Sequence, residues 1–179
     1  MKHYDFPLTF HRLYDQAVDL YARGQRGAAT FFNAADTAWL AANGLTAQHL
    51  YDYAEDQVAG GEPGYDRALG IELVRRDYFL NVQHGEASGA VLEEAALPPK
   101  TADVRGIAWL PRLLPKARAK LRGELPASLM YCCGGDRKFF KAHDILPSEF
   151  LGLVWRNLHD DEAVIEWVVT RSILAGAGS

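Results

Sequence analysis

Apolar positions along this chain recur mostly three and four residues apart, and the runs end at sharp breaks. Leu13, Ala17, Leu20 and Tyr21 set one helical face, and Gly24 stands where that helix should stop. Asn33 suits the N-cap of a second helix, with Asp36 three residues on completing a capping-box-like pair. Trp39 and Leu40 face inward there, and Gly44 ends it. Thr46 caps a third helix through Leu50, Ala54 and Val58, closed by Gly60-Gly61. Pro63 suits the first turn of a fourth, running to about Val82. The fourth spreads Tyr65, Ala68, Leu69, Ile71, Val74, Phe79 and Leu80 around most of its circumference, which marks a central helix. Glu72, Arg75, Arg76 and Asp77 sit in its middle. Glu72 reaches Arg75 or Arg76 at i,i+3 or i,i+4, so a buried ion network is expected.

From His84 to Gly106 the pattern is irregular, with Pro98-Pro99 as a rigid breaker and a short helix expected around Val91-Leu92. Trp109 and Pro111 then open a helix through Leu114, Ala117 and Leu121 that stops at Gly123. Asp136 reads as the cap of a short helix through Phe139 and Phe140, and Pro147 begins another through Phe150, Leu151 and Val154. Asp160 caps the last, with Val164, Ile165 and Val168 inward. Leu129 to Cys132 suits a short strand, but nothing alternates long enough for a sheet. The fold predicted is all-α: a compact bundle of about eight helices, with two pseudo-repeated halves sharing one core. The halves are residues 1–83 and 107–172, joined by 84–106 and followed by a flexible tail over 173–179.

The repeat rests on an offset of one hundred residues. Leu13, Ala17, Asp36 and Ala42 recur identically as Leu113, Ala117, Asp136 and Ala142. Apolar residues recur beside them, including Leu40 and Phe140, Leu45 and Ile145, Leu50 and Phe150. A helical unit that cannot bury its own apolar face packs against its copy. Because Asn33 stands where Cys133 does, chemistry is expected in the second copy alone.

Composition changes this picture little. The 179 residues, 49% hydrophobic and 23% charged, are those of an ordinary globular chain. A net charge of -4 argues against a nucleic-acid surface. The basic residues between Arg105 and Arg122 read as a solvated helix face. No apolar run approaches the ~20 residues of a membrane span. No secretory leader is visible, and Cys132 and Cys133 are adjacent and so ill placed for a disulfide, which points to a reducing cytoplasm.

Candidate chemistry concentrates at Cys132-Cys133-Gly134-Gly135-Asp136-Arg137. Glycines before a helix free N–H groups for an anion, and the helix field with Arg137 favours a thiolate. Cys133 is the candidate nucleophile and His143 a candidate base, although two turns of helix separate them. Read structurally, the same residues are a cap, a turn and two small packing side chains. The six histidines are scattered without metal-ligand spacing, and the Walker, dinucleotide, GxSxG and SxxK motifs are absent. No metal and no cofactor are therefore expected.

Trp109-Leu110-Pro111-Arg112-Leu113, Lys116-Ala117-Arg118-Ala119-Lys120-Leu121 and Gly123-Glu124-Leu125 resemble a bacterial family, domain of unknown function DUF5069. Cys133, Asp136-Arg137, Phe139-Phe140, Asp160-Asp161-Glu162-Ala163-Val164 and Trp167 carry the resemblance on, over about residues 105–170. The first half is similar to the extension of longer relatives. The chain departs from the family pattern at Gly134-Gly135, where a proline-containing turn is typical, and at Pro115. The resemblance implies no known activity. With no complete catalytic constellation, the leading expectation is a non-catalytic module binding a protein or a small acidic ligand through Arg112, Lys116, Asp136 and Arg137. A second copy of the chain is a further candidate partner. The alternative is a thiol-dependent enzyme or redox protein using Cys133.

Overall fold

Helix starts and stops are where local chemistry places most of them, and a computed structural model describes residues 3–177. The chain divides into two compact units, Met1–Glu86 and Ala87–Ser179. In the first, α1 (Phe6–Ala22), α2 (Ala34–Ala42), α3 (Ala47–Gly60) and α4 (Tyr65–Asn81) follow a short 3-10 turn at His3–Asp5. In the second, a hairpin of β1 (Asp103–Val104) and β2 (Ile107–Ala108) precedes α5 (Leu110–Arg122), α6 (Gly134–Ala142), α7 (Pro147–Arg156) and α8 (Asp161–Ala177). The hairpin pairs Asp103 with Ala108 and Val104 with Ile107. Its turn residues Arg105 and Gly106 both hold positive φ, as a two-residue primed turn requires. The fold is all-α.

Each unit buries its own apolar stripe. In the first, α1 packs on α3, with Phe10, Leu13, Ala17, Leu40, Leu50 and Ala54 at 0% exposure. In the second, α5 packs on α7, with Leu110, Leu113, Ala117, Leu121, Phe150 and Val154 equally buried. Fully burying such a side chain stabilises by about 1.5–3 kcal/mol, which makes these stripes the chief support of both units. Helices α2 and α6 begin one hundred residues apart, as do α3 and α7, and α4 and α8 are both 17 residues long.

Several sequence expectations are corrected. Asp136 is the third residue of α6, and Cys133 is its N-cap. Asn33 does cap α2, accepting from Asp36 N at 2.9 Å, but the Asp36 carboxylate turns to Arg12 and the capping box is half made. Pro63 lies before α4 in a cis peptide bond, and Gly64 is the N-cap. Residues 129–132 form no strand: 129–130 are irregular, and Tyr131 and Cys132 are buried in a turn. Val91-Leu92 is not helical, with Leu92 N donating to Glu124 O at 2.7 Å, and the short helix falls at Glu94–Ala96. The last helix continues through residues assigned to the tail as far as Ala177, and residues 178–179 lie outside the described ones.

Glu72, Arg75 and Arg76 of α4 are buried as expected while Asp77 is exposed, and Glu72 and Arg76 reach residues outside the helix. Tyr53 OH donates to Glu72 Oε1 at 2.7 Å, His49 lies 3.9 Å from Oε2, and Arg76 Nε donates to Asn43 Oδ1 at 2.6 Å. At the start of α8, Asp160 accepts from Ala163 N at 3.0 Å, while Arg118 and Arg105 pair with Asp161 and Glu162. No helix among the described residues is long and apolar enough to cross a membrane.

Candidate functional site

Arg112, Lys116 and Lys120 lie four apart on one stripe of α5, and that stripe faces inward. They are 8%, 3% and 3% exposed, which overturns the solvated basic face read from the sequence. Arg112 turns in toward Pro98 O and Glu94, and Lys116 toward a buried carboxylate. Asp136, in the first turn of α6, is 0% exposed, and a buried charge needs close partners. Lys116 Nζ donates to its Oδ2 at 2.7 Å, Cys132 N to the same oxygen at 2.8 Å, and Trp109 Nε1 to Oδ1 at 2.9 Å.

Two of those donors stand on unusual backbone. Trp109 and Cys132 hold φ of 73° and 72°, the left-handed region that costs a non-glycine residue about 1–2 kcal/mol. Gly135 explains where the indole rests: a Cβ there would lie 2.4 Å from the Trp109 ring. Glycine at this position therefore admits the indole to Asp136.

The same ammonium meets sulfur. Lys116 Nζ donates to Cys133 Sγ at 3.2 Å. Cys133 is half-buried at the N-cap of α6, so the Lys116 charge and the helix N-terminus both lie where a thiolate's charge would develop. Cys132 is different. Burial, with the Asp136 charge second, pushes its thiol up to about 12, so it stays protonated. Tyr131 beside it is raised well above the ordinary phenol range by burial, and its hydroxyl donates to Pro147 O at 2.8 Å.

The other sequence-chosen residues have structural partners. Arg137 donates to Cys132 O at 2.8 Å, and Arg112 to Pro98 O at 3.0 Å with Glu94 3.6 Å away. His143 is not brought to Cys133. It follows the last residue of α6, about 15 Å along the helix from Cys133, packed on Phe139 and bonded to Ser172 Oγ at 2.7 Å. Burial lowers its pKa. Sequence reasoning missed the indole of Trp109 and the contact of Lys116 with sulfur. The sequence held no direct signal for either contact, because a stripe of cations on a helix reads as a solvent face. No group of three or more His, Cys, Asp or Glu fit to hold a metal occurs among the described residues.

In the first unit the equivalent places are plainer. Arg12 meets Asp36 at 2.5 Å with its own side chain 53% exposed, and Gln16 donates to Phe31 O at 2.8 Å.

The C-terminal unit is thus a four-helix unit built around a buried lysine–aspartate pair in contact with one thiol. Its residues 98–175 match the family model described as domain of unknown function (DUF5069), and the match takes in the hairpin and all four helices. No curated protein and no solved structure matches the chain.

Proposed function

We propose that the C-terminal unit works through Cys133 as a nucleophilic thiol. The observation that carries this reading is the Lys116 ammonium, 3% exposed and 3.2 Å from Sγ. Asp136 is a positioning residue, because it holds Nζ at 2.7 Å while Nζ meets sulfur. The ammonium offsets the charge of the thiolate, the form that attacks a soft electrophile or an oxidant. Two free thiols suit a reducing, cytoplasmic compartment. The hundred-residue spacing of the helices supports a duplicated scaffold whose second copy alone carries the thiol, since Gln16 and Asn33 stand where Lys116 and Cys133 do.

Iodoacetamide labelling near neutral pH tests it. Cys133 should react faster than a free cysteine, Cys132 should stay unlabelled in the folded chain, and Lys116→Met should slow Cys133 about tenfold, or 1.4 kcal/mol of barrier. Equal rates in the two proteins, with unchanged circular dichroism, would remove the reading.

A second reading is a non-catalytic binding module. It is favoured by an open cavity of about 480 Å³ in the first unit, lined by Tyr14, Asp15, Val18, Asp19, Gln57 and Tyr65. Slow labelling in both proteins leaves this reading standing.

A further inference from the structure

A thiol that meets an oxidant needs a second nucleophile if the first oxidation product is not to climb to sulfinic acid. The usual partner is a resolving cysteine, and the chain has only one other, Cys132. It is the wrong group. Cys132 is 0% exposed, held at a φ of 72° with its N–H on Asp136, and its thiol is pushed up to about 12 by burial. A disulfide between adjacent residues also departs far from the ordinary bridge geometry.

The nucleophile that the fold does place against Sγ is an amine. Lys116 Nζ is 3.2 Å from Sγ, and its proton acceptor is in place, with Asp136 Oδ2 at 2.7 Å. Lys116 is 3% exposed with its amine against sulfur, while Cys133 is half-buried, a residue that a small oxidant can reach. We propose that Lys116 is the resolving group for Cys133, the two side chains joining as a sulfenamide after oxidation of the thiol by a peroxide. This rests on the reading of Cys133 as a reactive thiol.

The chemistry closes. The Cys133 sulfur attacks one oxygen of hydrogen peroxide, the O–O bond breaks, and sulfenic acid and one water result. Lys116 passes a proton to Asp136, its nitrogen lone pair attacks the sulfenic sulfur, and the S–N bond forms as the S–O bond breaks. The departing hydroxyl takes a second proton from nitrogen and leaves as water. In sum one thiol, one amine and one peroxide give one S–N bond and two waters, sulfur losing two electrons and the peroxide gaining them. Two equivalents of an external thiol restore both side chains: the first breaks the S–N bond, freeing the amine and leaving a mixed disulfide on Cys133, and the second displaces the Cys133 thiol as the external disulfide forms. The joined state also withdraws the ammonium from Asp136, so oxidation is transmitted directly to the buried carboxylate.

The test treats the full chain with hydrogen peroxide, with and without dimedone, and reads intact mass and tryptic peptides. The expected product has lost two hydrogens, joins the peptide of Lys116 to that of Cys133, and reverts with dithiothreitol. It persists in Cys132→Ala, whereas Lys116→Arg gives dimedone-trapped sulfenic acid and then sulfinic acid at Cys133. Sulfenic or sulfinic acid at Cys133 of the unaltered protein without joined peptides would overturn the inference and leave the reactive-thiol reading intact. A two-hydrogen loss confined to the peptide holding both cysteines, or a joined pair that retains oxygen, would overturn it equally. No oxidation at Cys133 at all would sink both.

Discussion

The first turns of α2 and α6 each carry an aspartate at the third position, yet the two carboxylates live in different electrostatic surroundings. Asp36 is itself largely buried at 8% exposure, but its partner Arg12 keeps half of its side chain in water. Asp136 is sealed, and three donors converge on it, from α5, from the residue before α5 and from the turn before α6. A carboxylate whose partner is open to water needs one contact, whereas a sealed pair needs a full shell. The cost of that shell is visible in the backbone, in the two left-handed residues Trp109 and Cys132. The lysine required to neutralise Asp136 is then also available to sulfur.

The comparison breaks most decisively under removal of the two acids. Asp136→Ala should cost about 3–5 kcal/mol, because it strands a buried ammonium. Asp36→Ala should cost about 1 kcal/mol or less, since its partner is solvent-screened. Urea unfolding of the two variants checks this, and equal losses would show that burial does not distinguish the sites. A smaller effect is expected at the residue before each acid. Gly135→Ala should cost about 1–3 kcal/mol by driving a methyl into the Trp109 ring, while Ala35 already carries that methyl in the first unit. Quenching or shift of Trp109 emission should accompany the loss, and an unchanged spectrum would contradict the placement of the indole.

The smallest effect is a matter of pH. Burial lowers the His143 pKa below its unfolded value of 6.5, so the unfolded chain binds the extra proton more readily. Stability from this group is therefore full above 6.5 and falls as pH drops through that value, levelling once the folded form protonates too. His143→Gln should flatten the acid limb of a stability–pH curve of the C-terminal unit, and Asn43, its counterpart after α2, contributes no such slope. An acid limb unmoved by His143→Gln would assign it to other groups.

Much of the fold was legible in the sequence because its punctuation is local. Asn33, Gly61, Gly123, Pro147 and Asp160 act within a turn of where they stand, and each helix they bound is present. The site was legible only in part. Cys133, Asp136 and Lys116 were all singled out, but Lys116 was placed toward a ligand and Asp136 as a cap. Their actual roles depend on which face of α5 turns inward, and a stripe of three cations looks like a solvent face until its acid is found. The Trp109 indole was legible least. Its reach depends on a left-handed residue before α5 and on the missing Cβ of Gly135, two features that no helical periodicity encodes.

The inward stripe of α5 also alters the charge that the molecule shows at its surface. Among the described residues, Arg75, Arg76, Arg112, Lys116 and Lys120 are buried, against Asp36, Glu72 and Asp136. Folding thus hides more positive than negative charge, and the exposed surface is about two charges more acidic than the formal net of -4. The potential that a charged molecule meets close to the surface is accordingly that of a more anionic skin than the amino-acid count describes, while the field at long range stays that of the net -4.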